Sequence, residues 1–190
     1  MWSGRGSAFS NRLRGSKIPD TLCAMVREIS AGGVVLRQID GVWNVALIEP
    51  QRENSKPAKS PRKRARAVLA LPKGLVDPGE KPGATAVREV KEETGILAEP
   101  VTKLVDIKYV YVRTWGDGER VFKIVSFYLL RYVSGEIDDV MPDMRIEVTR
   151  ALWLPLDDAS GQMAYSNERK VLRLARDYLE AHGVVPEKTS

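Results

Sequence analysis

The stretch Gly74-Leu75-Val76-Asp77-Pro78-Gly79-Glu80, continued by Arg88-Glu89-Val90-Lys91-Glu92-Glu93-Thr94-Gly95-Ile96, decides how this sequence folds. Its first half reads as loop, because Pro78, Gly79 and Pro82 interrupt any regular period. From about Gly83 to Thr94 the pattern predicts a helix, with Gly95 as its C-terminal cap. On that helix Glu89, Glu92 and Glu93 stand at i, i+3 and i+4, so their carboxylates share one face. Arg88 is four residues before Glu92 and can pair with it on the flank. Val87 and Val90 lie to another side and can anchor the helix on a sheet. Three packed carboxylates repel one another. A hard divalent cation, its shell completed by water and substrate phosphates, removes that conflict. The helix therefore points to a metal-bridged phosphate ester or anhydride, although the same glutamates, taken alone, also suit a charged solvent face.

The spacing narrows the reading. The arrangement is G-x5-E-x7-R-E-V-x-E-E-x-G-I. It resembles the Nudix box of the Nudix hydrolases, complete and without substitution. A weaker resemblance covers most of Ser30 to Leu179, including Ala31-Gly32-Gly33-Val34-Val35, Leu71-Pro72-Lys73-Gly74 and Trp153-Leu154-Pro155. The resemblance implies an α/β fold, the Nudix-type α/β/α sandwich with a mixed sheet, and a loop–helix–loop metal site. Residues matching Glu92 and Glu93 bind divalent metal in that family, and the one matching Glu89 binds metal or acts as general base. A main-chain carbonyl near Lys73 or Gly74 would complete the site. Arg88 would orient the glutamates, Glu80 would brace the loop, and Gly74 and Gly95 would serve backbone geometry. The implied cofactor is Mg2+, with Mn2+ as the other cation such oxygen ligands accept.

The implied activity is hydrolysis of a phosphoanhydride bond in a nucleoside diphosphate linked to another moiety. The leaving group is a phosphate, so the difficulty is bringing water up to a polyanion. Either Glu89 or Glu147 is the candidate base. Glu147 sits in Met144-Arg145-Ile146-Glu147-Val148, a region where many relatives carry an acidic residue that approaches the metal. Intact box residues argue for an enzyme over the alternative of another class, a non-catalytic nucleotide-binding module.

Outward from the box, Ile29 to Arg37 reads as a strand. Its Gly32-Gly33 pair suggests close approach by another backbone or a ligand. Asp40-Gly41 is a turn, and Trp43 to Ile48 the partner strand. Val68 to Leu71 reads as a short strand followed by loop. Val101 to Arg113 and Arg120 to Val133 form a hairpin around Trp115-Gly116-Asp117-Gly118, and Val148 to Leu154 is a further strand. The last helix starts near Ser166 or Asn167, carries an apolar stripe at Val171, Leu174, Ala175 and Tyr178, and stops at Gly183. The domain is expected over residues 25–183, between a basic, flexible tail (1–24) and a short C-terminal tail (184–190). Residues 53–66 are expected to be a mobile basic loop, holding Lys56, Lys59, Arg62, Lys63, Arg64 and Arg66.

The box identifies the bond and not the substrate. Lys73, Lys123, Tyr109 and Tyr165 are the candidate substrate-binding residues. Lys123 lies on Phe122 to Leu130, which looks like the strand that runs past the phosphates in diadenosine polyphosphate and diphosphoinositol polyphosphate hydrolases. Tyr109, Tyr111, Trp115 and Tyr165 are available for base stacking, or for packing. Leu71-Pro72-Lys73-Gly74 favours the polyphosphate-cleaving side of the family over coenzyme A or ADP-ribose members. A dinucleoside polyphosphate or a modified nucleoside triphosphate is the leading substrate, and an RNA 5′ end is the alternative. The net charge of +5 suits polyanionic partners without choosing among them. The single cysteine, Cys23, leaves no internal disulfide, and no stretch reaches the ~20 apolar residues of a membrane span, so a cytoplasmic location is expected. The N-terminal composition loosely resembles an organellar transit peptide. A homodimer is compatible with the resemblance and has no signature in the sequence.

Overall fold

The computed structural model describes residues 25–51, 68–113, 118–163 and 165–183. The expected basic tail, the loop 53–66, the C-terminal tail and most of the turn at Trp115 lie outside the described residues. Strand β1 (Val26–Ile39) is the spine of the sheet. Asp40 and Gly41, both at positive φ, turn it into antiparallel β2 (Val42–Pro50). Along the rest of its length β1 pairs in parallel with β5 (Arg120–Ser134), from Val26 opposite Val121 to Leu36 opposite Arg131. Strand β4 (Leu97–Val112) pairs with β5, and β6 (Val148–Pro155) with β2. The order is β4-β5-β1-β2-β6, with short β3 (Lys73–Leu75) also on β1. One parallel pair among antiparallel ones makes the sheet mixed.

Alternation along β1 sends Val34 and Leu36 to one face and Val35 to the other. Helix α1 (Pro82–Thr94) covers the Val35 face, where Val90 packs with Ala46, Ile96 and Leu130. Helix α3 (Ser166–His182) covers the opposite face, where Val171, Leu172, Ala175 and Leu179 meet Val125, Phe127 and Leu129. The fold is α/β, a mixed sheet with a helix on each side. No helix among the described residues is long and apolar enough to cross a membrane.

Three expectations need correction. Lys73–Leu75 is a strand and not loop, whereas Leu69 and Ala70 make only single bridges, to Met163 and Ile48. The buried stripe of α3 is Val171, Leu172, Ala175 and Leu179; Leu174 and Tyr178 stand half-buried at its edge. Both sets have helical period, so periodicity alone could not fix the rotation. The turn of 3-10 helix Pro142–Ile146 and the short helix α2 (Leu156–Gln162) were not anticipated, since neither is long enough to show an apolar period.

Candidate active site

Helix α1 packs onto β1 at a glycine. A Cβ on Gly33 would lie 2.6 Å from Cγ2 of Val90 and 2.5 Å from Cδ1 of Leu130. The adjacent Gly32 makes room for β3 in the same way, its Cβ position being 2.6 Å from Cβ of Lys73. The glycine pair thus admits protein. This seat leaves Glu89 and Glu93 only 7% and 6% exposed, with Glu92 outside them.

Arg88 organises the outer side. Its Nη1 donates to Glu89 Oε1 at 2.7 Å and to Glu92 Oε2 at 2.9 Å. Its Nε and Nη2 donate to the two oxygens of Glu80 at 3.1 and 3.0 Å, and Nη2 also to the carbonyl of Leu75 at 3.0 Å. Glu80 further accepts the Thr85 hydroxyl at 2.6 Å and the Asp77 N–H at 3.3 Å. Bonding to Arg88, then to Thr85, pulls the Glu80 carboxyl down to about 2, and Glu80 in return raises the Arg88 guanidinium. The loop 77–80 is therefore tied to the helix through one planar fork.

The inner carboxylates are under opposite pressure. Burial pushes Glu93 up to about 8, against the N–H and the charge of Lys73; the charges of Glu89 and Glu147 add to the rise. Burial likewise raises Glu89, opposed by Arg88 and assisted by Glu92 and Glu147. The negative charges of Glu92 and Glu147 thus bear on Glu89, and those of Glu89 and Glu147 on Glu93. Gly74 lies against the first of them: a Cβ there would fall 2.1 Å from Glu89 Oε1. Among the described residues no three ligand side chains already converge on one point. Arg88 Nη1 bridges Glu89 and Glu92 in this arrangement, and Lys73 N–H holds Glu93 Oε2 at 2.8 Å. The donor set nonetheless fits a hard divalent cation: buried oxygen ligands whose ionisation costs free energy until a positive charge arrives.

Behind this cluster lies a cavity of about 380 Å³, lined by Lys73, Tyr109, Phe127, Tyr165, Asn167 and Glu168 with Ile107 and Val125. Lys73 joins the two regions. Its N–H goes to Glu93, while its Nζ pairs with Glu168 Oε1 at 2.9 Å and faces the Tyr165 ring. Glu168 is 4% exposed, and its second oxygen accepts the Leu71 N–H at 2.9 Å. Burial works against the Lys73 charge, but the charge and hydrogen bond of Glu168 outweigh it, so the ammonium is held more firmly than usual.

The structure gathers Lys73, Tyr109 and Tyr165 around the cavity, and Arg88, Glu80, Glu89, Glu92, Glu93 and Gly74 around α1. Gly95, at φ 79, closes α1 with its N–H on Lys91 O. Lys123 stands opposite Tyr109 in the sheet but pairs with Glu28 at 3.5 Å and does not line the cavity. Tyr111 likewise gives its hydroxyl to Glu28, at 2.9 Å. Trp115 is outside the described residues. Phe127, Asn167 and Glu168 were not singled out from sequence. Extending the buried row Val171, Leu172, Ala175 back one turn reaches Glu168, and an acid on an apolar stripe was the available signal.

Comparison with known proteins matches residues 28–175 to the family model described as NUDIX domain. The chain is 34% identical over 176 residues to the protein named MutT4, a mutator-protein candidate of Mycobacterium tuberculosis, covering 92% of this chain and 64% of that one. It is 36% identical over 104 residues to an 8-oxo-(d)GTP phosphatase of Mycolicibacterium smegmatis, covering 55% and 29%. It is 30% identical over 124 residues to an RNA pyrophosphohydrolase of Roseobacter denitrificans, covering 61% and 77%. The chain therefore spans less than two thirds of the first two relatives. Among solved structures, a MutT NUDIX hydrolase of Burkholderia pseudomallei superposes with a TM-score of 0.54 at 26% identity, covering 78% of this chain and 97% of that one. An Ap4A hydrolase complex of C. elegans shares the fold, with a TM-score of 0.57 at 24% identity and coverage of 81% and 98%. With the family model spanning most of the chain and the box geometry intact, the chain belongs to the Nudix hydrolase family.

Proposed function

We propose that this protein hydrolyses a phosphoanhydride bond of a nucleoside polyphosphate, with a modified nucleoside triphosphate or a dinucleoside polyphosphate as substrate. The observation that carries this reading is the junction at Lys73, one residue that hydrogen-bonds Glu93 and also walls the aromatic cavity. A nucleobase with part of its sugar suits a cavity of this size. Tyr109 and Tyr165 line it with rings available for stacking, and the Asn167 amide offers a donor and an acceptor for a base edge. The polyphosphate would then lead past Lys73 to the α1 carboxylates. The likeness to an 8-oxo-(d)GTP phosphatase supports a modified purine triphosphate.

Glu92, Glu93 and Glu89, with the main chain at Gly74, would hold Mg2+ or Mn2+. When bound, such a cation supplies neutralisation of phosphate charge and acidifies water for attack. Arg88 fixes the directions of Glu89 and Glu92. Glu89 or Glu147 takes the proton of the attacking water. Burial of Glu89 raises its basicity, and Glu147 has the freer approach to solvent.

The test is product release from 8-oxo-dGTP, ordinary triphosphates, diadenosine polyphosphates, ADP-ribose and triphosphorylated RNA, with and without Mg2+. Metal-dependent turnover of a nucleotide, lost in Glu92→Gln/Glu93→Gln, is the expected result. Binding without turnover of any of these would favour a non-catalytic nucleotide-binding module. A second substrate reading, an RNA 5′ end, is favoured by the likeness to an RNA pyrophosphohydrolase. Preferred turnover of triphosphorylated RNA would select it.

A further inference from the structure

Glu147 belongs to no long element. It ends the 3-10 turn Pro142–Ile146, and its residue is exposed. A carboxylate on such a loop would ordinarily wander. Here the main chain is pinned from both sides. Gln51 N–H donates to the Glu147 carbonyl at 2.7 Å, and Gln51 Nε2 to the Arg145 carbonyl at 3.1 Å. Asp138 adopts φ 72, a left-handed conformation uncommon for a residue with a side chain. Its N–H donates at 2.9 Å to the carbonyl of Thr94, the last residue of α1. Its carboxylate accepts Arg145 Nη1 at 2.8 Å and the Ala151 N–H of β6 at 2.6 Å. Its carbonyl accepts Arg145 Nη2 at 2.6 Å, and Arg145 Nη1 also reaches the Thr149 carbonyl at 3.2 Å. One buckle therefore joins the end of α1, the loop and β6. Arg145 is two residues from Glu147, a span of about 7 Å at full extension, so a fixed guanidinium restricts where Glu147 can stand.

We propose that Asp138 and Arg145 are positioning residues that hold the Glu147 carboxylate at a set place relative to Glu89 and Glu93. The fork matters because it grips a carboxylate and a carbonyl of the same residue, which an ammonium cannot do in one geometry. The proposal rests on reading the α1 glutamates as a cation site with Glu147 as its neighbour.

The test reads Mn2+ affinity of the full chain by electron paramagnetic resonance, with no nucleotide present. Glu147→Gln should weaken Mn2+ by about three- to tenfold, the effect of removing one nearby negative charge. Arg145→Lys should reproduce most of that loss. The double variant should bind no more weakly than Glu147→Gln alone, since both changes remove one interaction. Asp138→Asn, which tolerates the left-handed backbone, carries the same expectation should Arg145→Lys fail to fold by circular dichroism. Wild-type affinity in a folded Arg145→Lys or Asp138→Asn, losses that multiply in the double variant, or an inert Glu147→Gln would each overturn the proposal. Mn2+ binding that survives Glu92→Gln/Glu93→Gln would bring down the cation-site reading itself, a distinct failure.

Discussion

Raising the pH of the metal-free protein should weaken the fold, and Glu93 should be the main reason. Its carboxyl is moved from 4.5 to about 8 by burial, so the native state favours the protonated form. An unfolded chain releases that proton as pH rises through 4.5. Stability is then fully present below 4.5 and is lost as pH rises through 8. Between pH 5.5 and 8 the loss is about 3 kcal/mol, at about 1.4 kcal/mol for each tenfold change in proton concentration. For a chain of this length that is a fall in Tm of about 6–12 °C. The assay is differential scanning calorimetry in EDTA across that range, with His182→Gln controlling for the chain's single histidine. Glu93→Gln should flatten most of the slope, Glu89 retaining a smaller share because its carboxyl is raised too. Mg2+ at 100 times its Kd should restore about 2.7 kcal/mol at pH 8. A Tm flat from pH 5.5 to 8 without metal, or a slope unchanged in Glu93→Gln, refutes the reasoning.

Gly74→Ala would press a methyl group onto Glu89 Oε1, so turnover should fall about 100-fold or more while a folded circular dichroism spectrum persists. Glu80 gives the opposite pH signature: its carboxyl is held at about 2, so its stabilisation is complete above 4.5 and disappears as pH falls towards 2. Glu80→Gln should make acid unfolding shallower across that window, measured by fluorescence. Lys73→Met leaves the Glu168 carboxylate buried without its cation and should cost about 2–4 kcal/mol in urea unfolding. Adding Glu168→Leu should recover most of that loss without restoring nucleotide affinity. Tyr165→Ala should raise KM for a nucleoside triphosphate about tenfold, with kcat nearly unchanged, if its ring supports the base; an unaltered KM would remove Tyr165 from the substrate-binding set.

Helix α1 was legible because chemistry and periodicity coincide there. Glu89, Glu92 and Glu93 share a face by spacing alone, Arg88 reaches Glu92 by the i,i+4 rule, and Gly95 marks the end. Strand pairing around Asp40-Gly41 was legible for similar local reasons. The Glu168–Lys73 pair and the Asp138–Arg145 buckle were not. Each links residues far apart in the chain or inside an irregular loop, where no period exists to expose it. The strand at Lys73–Leu75 escaped because Gly74 looks like loop, whereas its missing side chain leaves space for Glu89. Lys123 shows the converse: the strand was placed correctly, but its ammonium turns to Glu28, a partner that only the parallel pairing of β1 and β5 brings near.

That parallel pairing also orders events in time. Residues 26 and 121 must meet before β1 has both its long neighbours, so nearly half the chain intervenes between the two halves of the central ladder. Closing so large a loop is an entropic barrier that local helix formation cannot bypass, and topologies of this kind fold slowly. The α1 glutamates leave the ribosome well before β5, yet their platform of Gly33, Val35 and Leu130 is incomplete without it. A nascent chain should therefore bind no divalent cation tightly until residues up to Ser134 have emerged, making cation capture a late reporter of folding rather than its trigger.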